Sequence, residues 1–214
     1  MPADTPQWIR NLQVLEYSDH TMNAVQIYKY LIEKFDDVDV SKDTDFQDKY
    51  KEFFVTKLSL GGDLWHQLYF NFLQELKNKY KGSVLSATEF EAALRRFYQI
   101  RCDNGLPAKV EPSFVSKAFH MVNHNLAIWD SKVRANLHGL TYNPISNAGS
   151  IENKIRRSVQ WYNLTNERIQ NAIALDKNRD ITEQIIAQFR AGFPNEEKDI
   201  TDIKIMDFYY WQLA

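Results

Sequence analysis

The sequence predicts an all-α fold, and two observations carry that prediction. Apolar residues recur at intervals of three and four along the 214-residue chain, which is the period of a helix buried on one face, and no segment shows the strict alternation of a strand. Capping residues and glycine or proline stops also divide the chain into helix-length segments. With 44% hydrophobic residues and no long linker, the chain is expected to form one compact helical domain over residues 1–214.

Apolar stripes predict the first helices. Each stripe returns to one helix face: Met22, Ile27, Tyr28, Leu31, Ile32 and Phe35 in the first, and Phe46, Tyr50, Phe53 and Phe54, after Asp45, in the second. The Gly61-Gly62 pair is expected to end the second helix. Asp63 is placed to cap a third helix, which stops at Gly82.

A capping motif marks the fourth helix. Ser86 and Glu89 have the spacing of a capping box, with Leu85 and Phe90 at the flanking positions of a hydrophobic staple. The helix is predicted to run to about Cys102, where the turn-forming sequence DNG follows. A proline-bounded loop then leads to the next helix.

Pro112-Ser113 is a favourable helix start, with an apolar face formed by Phe114, Val115, Ala118, Phe119 and Val122. Asp130 is placed to cap a further helix that runs to about His138. Three more helices are predicted: a long one from Ile151, one capped by Asp180 and Glu183 that closes at Gly192, and a final one that carries the aromatic run 208–211.

Composition restricts the compartment and the partners. The formal net charge of -2 does not indicate a dedicated nucleic-acid binder, and the single cysteine, Cys102, excludes an internal disulfide. No apolar run approaches the length of a membrane span or a secretory signal. We therefore expect a soluble, cytoplasmic protein that does not bind membranes and needs no cofactor. The oligomeric state is not predicted.

Two polar residues in an apolar stretch form the candidate site. Lys117 is about one turn inside its helix, on a different stripe from the apolar face, and His120 and His124 share its flank. The chain between Lys117 and Asp130 is long enough to bring the two groups together. The histidines have the spacing of a metal pair but lack the glutamate of H-E-x-x-H and any cysteine cluster, so no metal is expected.

The stretch P-S-F-V-S-K-A, followed by a helix and then I-W-D-S-K-V, resembles the helix-hairpin-helix DNA glycosylases, and more particularly the 8-oxoguanine glycosylase-like proteins. Their pattern is a hairpin written roughly L-P-G-V-G-x-K, a hydrophobic helix, and V-D-x-x-V. Ser113 and Val115 stand where that pattern has glycines, so the motif is degenerate. The resemblance places a helix-hairpin-helix-like segment at 106–138, with Lys117 at the nucleophilic lysine and Asp130 at the catalytic aspartate.

The resemblance implies an N-glycosylase, with or without AP lyase activity, that excises a damaged or modified base from double-stranded DNA. In the family's logic Lys117 attacks the sugar and Asp130 stabilises the developing positive charge. Residues 113–168 carry seven cations against three carboxylates, which favours a local DNA surface. The expected DNA contacts are Ser113, Ser116, Lys132, Arg134, Lys154 and Arg157. The expected pocket residues are His120, His124, Trp129 and Trp211.

A second hypothesis remains open. A module that retains the fold without the chemistry would bind nucleic acid or a protein partner through the same basic segment. The sequence does not decide whether the chain is an enzyme, and it does not identify the base.

Overall fold

The structure is a computed structural model that describes residues 19–54, 62–138, 149–174, 176–194 and 200–212. These residues form nine α-helices and no strand, so the predicted all-α fold is confirmed. In chain order the helices are α1 Asp19–Phe35, α2 Thr44–Phe53, α3 Gly62–Tyr80, α4 Ala87–Asp103, α5 Pro112–Val122, α6 Ser131–His138, α7 Ile151–Ala174, α8 Asp176–Gly192 and α9 Asp202–Gln212.

The start of α4 shows how local side chains fix a helix end. Ser86 accepts the backbone N–H of Thr88, and Glu89 accepts the backbone N–H of Ser86 at 2.8 Å, which completes the predicted capping box. Each such cap stabilises the fold by about 1 kcal/mol. α3 and α4 are followed by Gly82 and Gly105, whose φ angles of 75° and 71° lie in the left-handed region that favours glycine.

Three sequence predictions differ from the structure. α3 begins at Gly62, so Asp63 lies in its first turn and is not its N-cap. α8 begins at Asp176, so Asp180 lies inside the helix and does not cap it. Lys177 and Arg179 are good helix formers, so the helix begins before the cap that the sequence predicts at Asp180. In α1, Met22 is 44% exposed, while Val25 is buried against α8 and α9.

The central helix of the fold is α5, which packs against α3, α4 and α7. Its first turn is held by a hydrogen-bond chain: Tyr69 donates its hydroxyl to the carbonyl oxygen of Phe114 at 3.0 Å, and Tyr50 and Tyr69 share a 2.6 Å hydrogen bond. The Phe114 ring lies 4.7 Å from that of Trp65. These contacts fix the rotation of α5 and therefore the direction of Lys117.

The last helix closes the fold beside α5. α9 packs against α6, α7 and α8, and it is buried over most of its length. Phe208, Tyr209 and Tyr210 lie in the core, as their sequence predicts, and Trp211 is half-buried. Phe208 also contacts Tyr28 of α1 and Phe53 of α2. α1, α2 and α9 therefore meet at the Phe208 ring.

Candidate active site

Lys117 lies in the second turn of α5 with only 6% of its surface exposed. Its Nζ atom is 5.4 Å from the centre of the Phe114 ring and 5.7 Å from that of Phe54. Among the residues that the structure describes, Lys117 has no hydrogen-bond or ion-pair partner. The helix flank on which the sequence places this lysine is therefore buried in the fold.

Two other lysines are buried in the described ranges, and both have partners. Lys77 donates to two carbonyl oxygens of the α1–α2 connection, at 2.7 and 3.3 Å. Lys204 forms a 2.5 Å ion pair with Asp207. Lys77 and Lys204 thus have the compensation that a buried cation requires. Among the described residues Lys117 has no such partner, and its amine lies near the rings of Phe54 and Phe114 instead.

Burial is the main reason why the Lys117 amine is a weaker base than usual. It lowers the pKa of Lys117 from 10.5 to about 8, with a smaller contribution from Lys204, whereas Asp130 and Asp207 act in the opposite direction. At pH 7.5 about a quarter of the amines with such a pKa are neutral, against roughly one in a thousand for an ordinary lysine. Lys117 is therefore partly in the nucleophilic form at neutral pH.

Asp130 caps α6, as the sequence predicts. Its Oδ1 atom accepts the backbone N–H groups of Lys132 and Val133, each at 2.9 Å. Its carboxylate also acts electrostatically on Lys117, although the two groups form no ion pair. The structure thus brings the two predicted catalytic residues into one electrostatic environment, from two successive helices.

A second charged pair lies in this environment, Lys204 and Asp207 of α9, and it is not among the residues predicted from the sequence. The two side chains are 3% and 7% exposed, and the Lys204 ammonium lies 4.6–5.0 Å from the ring centres of Tyr28, Phe53 and Phe208. The other Asp207 oxygen, Oδ1, is buried without a hydrogen-bond partner among the described residues. A lysine and an aspartate three residues apart in the otherwise apolar segment IKIMDFYYW were the available sequence signal.

His120 links α5 to α1 and is fully buried. Its Nδ1 lies 2.6 Å from the carbonyl oxygen of Leu126, so Nδ1 carries the proton and donates it. Nε2 therefore accepts the Tyr28 hydroxyl at 2.8 Å. Burial lowers the pKa of His120 well below its usual range, which keeps the ring neutral. Because both ring nitrogens are in hydrogen bonds, His120 links α1 to α5 and has no free nitrogen for a nucleobase or a metal ion.

His124 follows at the end of α5, and its ring centre lies 5.8 Å from that of His120. Its Nε2 atom is buried without a hydrogen-bond partner among the described residues. Burial lowers the pKa of His124 as well. In the part of the chain that is described, no three histidine, cysteine, aspartate or glutamate side chains are grouped to hold a metal ion.

The residues that the resemblance assigns to the hairpin, Pro112–Lys117, form the first two turns of α5 and not a loop between two helices. Ser116 is fully buried. Its hydroxyl donates to the Ser113 carbonyl oxygen at 2.9 Å and accepts the backbone N–H of Trp129 at 3.0 Å. The Ser116 hydroxyl is therefore not available for the phosphate contact predicted from the sequence. Instead it joins α5 to the segment that carries Asp130. Ser113 is half-buried, and Glu111 beside it forms a 3.0 Å ion pair with Lys109.

Two predicted DNA contacts lie on α6 beside tryptophans. The Lys132 ammonium is 4.2 Å from the centre of the Trp211 ring, and the Arg134 guanidinium is 5.9 Å from that of Trp129. Trp129 is itself buried in the main core, whereas Trp211 is half-buried. Of the predicted pocket residues, Trp211 is therefore better placed to meet a ligand than Trp129.

The remaining predicted DNA contacts, Lys154 and Arg157, lie on α7. Arg157 is exposed, and it is two residues, or about 200° of helix rotation, from the buried Ile155. It therefore points away from the core. Neither cation is among the charges that shift the pKa of Lys117, so the structure does not unite α7 with the candidate site.

Two of the cavities lined by described residues are well formed, and neither has Lys117 or Asp130 in its wall. The larger, about 660 Å³, lies between α7 and the start of α9, with Gln170, Arg190 and Asp202 in its wall. The smaller, about 310 Å³, lies between α4 and α7 and is lined in part by Tyr162 and Asn166.

None of the described helices combines the length and the apolar character that crossing a membrane requires. Comparisons with models of protein families, with curated proteins and with solved structures gave no significant match.

Proposed function

We propose that this chain is a lysine-dependent DNA glycosylase that excises a damaged or modified base from double-stranded DNA in the cytoplasm. The observation that carries the proposal is the Lys117 amine, which is buried, weakly basic and without a hydrogen-bond or ion-pair partner among the described residues. Retaining such a group disfavours folding, and enzymes place perturbed lysines of this kind at nucleophilic sites.

In the proposed reaction the neutral Lys117 amine donates its lone pair to C1′ of a nucleotide flipped out of the duplex. The bond between C1′ and the base breaks, and the base leaves with the electron pair and takes up a proton. Loss of the ring oxygen from C1′ then gives a Schiff base between Lys117 and the opened sugar. Asp130, held in place by its cap hydrogen bonds, stabilises the positive charge that develops on the sugar.

Reduction of that Schiff base by borohydride provides the test. The protein is incubated with duplexes that carry oxidised, alkylated or otherwise modified bases, and covalent adducts and released bases are measured. The proposal predicts an adduct with the wild-type chain and none with Lys117→Gln. Lys77→Gln is the matched control, because it removes a buried amine that donates to main-chain carbonyls instead. Absence of adduct and of released base on the whole panel would contradict the proposal.

A second candidate function is a helical module that binds nucleic acid or protein without catalysis. It is favoured by one observation, that neither cavity among the described residues opens onto Lys117. The same experiment separates the two functions, because a binding module would hold DNA in a salt-dependent manner, release no base, and be unaffected by Lys117→Gln.

A further inference from the structure

The second buried ion pair, Lys204–Asp207, lies within electrostatic reach of Lys117. Asp207 and Lys117 each shift the pKa of the other, and Lys204 shifts the pKa of Lys117 in the opposite direction to Asp207. The two ammonium groups lie against neighbouring rings, since Lys204 Nζ is 4.9 Å from the centre of the Phe53 ring and Lys117 Nζ is 5.7 Å from that of Phe54. One buried carboxylate thus acts electrostatically on two buried ammonium groups. Asp207 pairs with Lys204, because its Oδ2 atom lies 2.5 Å from Lys204 Nζ, whereas Asp207 and Lys117 form no ion pair.

The surroundings of Lys204 explain this pairing. Three aromatic rings, of Tyr28, Phe53 and Phe208, surround its ammonium group at 4.6–5.0 Å, and ring faces attract cations. Lys204 is also three residues before Asp207, so both side chains extend from the same face of α9. The pair is therefore held by α9 itself, together with rings from α1 and α2.

We propose that Lys204 is a positioning residue for Lys117: by holding Asp207 in an ion pair, it prevents that carboxylate from pairing with Lys117 and keeps the Lys117 amine free to act as a nucleophile. This inference rests on the proposed function. It assigns different roles to the two carboxylates. Lys204 neutralises Asp207, whereas Asp130 stabilises positive charge on the substrate.

The charge balance supports this division. With Lys117 as a free amine, Lys204, Asp207 and Asp130 together carry one net negative charge. A cationic sugar or a protonated Schiff base on Lys117 then restores neutrality within the buried group. Burial raises the pKa values of four tyrosines around α5 and lowers those of two histidines, so these six side chains are uncharged at neutral pH: Tyr28, Tyr50, Tyr69, Tyr162, His120 and His124. The Glu111 carboxylate before α5 is paired with Arg101 and Lys109.

The test measures the pKa of Lys117 by NMR titration of its side-chain amine, in parallel with the rate of borohydride trapping. Lys204→Met frees Asp207 to pair with Lys117, so the pKa of Lys117 should rise by about one unit or more, and the trapping rate at pH 7 should fall about tenfold. Asp207→Asn removes the attraction and leaves Lys204 in place, so the pKa of Lys117 should fall. In the double variant the two effects oppose each other, and the pKa should return close to that of the wild type.

Asp202→Asn is the control, because Asp202 lies on the same helix but pairs with Arg190 and does not act on Lys117. An unchanged or lower pKa of Lys117 in Lys204→Met would overturn the inference. If that variant does not fold, Lys204→Gln, which removes the charge and keeps a polar side chain beside Asp207, is measured in its place; a Lys117 pKa that is not above the wild-type value would then overturn the inference. Shifted pKa values without trapping in any form of the protein would refute the glycosylase and leave the electrostatic role standing.

Discussion

The Asp130 carboxylate raises the pKa of the Lys117 amine without forming an ion pair with it, while one of its oxygens accepts two backbone N–H groups of α6. Asp130 is thus fixed by the helix that it caps, and its carboxylate still acts electrostatically on the Lys117 amine. This arrangement allows capping and catalysis to be separated by mutation.

Asp130→Asn should leave the free energy of unfolding close to that of the wild type, because asparagine caps a helix about as well as aspartate. Base release should fall by about 10²–10³-fold, since a neutral amide cannot stabilise developing positive charge. Denaturant unfolding and single-turnover kinetics measure the two effects. Asp130→Ala, which loses the cap as well, should cost about 0.5–2 kcal/mol of stability. Full activity in Asp130→Asn would eliminate the electrostatic role.

Lys117→Met should stabilise the fold at pH 7 by on the order of 3 kcal/mol, because burial depresses the pKa of Lys117 to about 8. The folded state binds this proton less tightly than the unfolded state, so the destabilisation is complete below about pH 8 and disappears as the pH rises towards 10.5. Urea unfolding of both proteins between pH 7 and 10.5 should therefore show converging stabilities. A stability difference between the two proteins that does not change with pH would show that the pKa of Lys117 is not lowered in the folded state.

Lys77→Met should have the opposite effect on stability to Lys117→Met. It removes the donor for two main-chain carbonyl oxygens, so it should destabilise the fold at pH 7, by about 1–3 kcal/mol.

The sequence was sufficient for the features that depend on near neighbours. The capping box at Ser86, the cap at Asp130 and the turn at Gly105 each involve residues a few positions apart, whose chemistry is readable from spacing alone. The bond between Tyr28 and His120 joins residues 92 positions apart, and no periodic pattern encodes it. The burial of Lys117 likewise depends on the end of α2, which lies far away in the chain.

The same limit explains the missed pair on α9. The spacing of Lys204 and Asp207 is local, but their proximity to Lys117 arises only when α9 closes against α1 and α2. The sequence predicts a DNA contact for Ser116 for a related reason. Its actual partner, the Trp129 N–H, is 13 residues away, in a segment whose return path the sequence does not specify.

Ser116→Ala should destabilise the protein by about 1–3 kcal/mol, because it leaves the buried Trp129 N–H without an acceptor. Ser113→Ala is the matched control, since Ser113 contributes its main-chain carbonyl to the same contact and should lose little stability. Thermal unfolding of the two variants measures the difference. Similar stabilities for both variants would show that the contact between α5 and the Asp130 segment contributes little.

The rate of adduct formation should increase with pH. The neutral amine is the reacting form, so the rate should rise about tenfold per unit below pH 8 and level off above it, following the Lys117 pKa of about 8. Single-turnover trapping with cyanoborohydride between pH 6 and 9.5 measures the profile. A rate that is constant or falls across this range would show that deprotonation of Lys117 does not limit the reaction.

The central claim is that Lys117 is the amine that bonds to the sugar, and peptide mapping of the reduced protein–DNA adduct by mass spectrometry tests it most directly. We expect the nucleotide remnant on Lys117, in the second turn of α5. A remnant on Lys132, Lys204 or another amine, or an adduct that persists in Lys117→Gln, would contradict it.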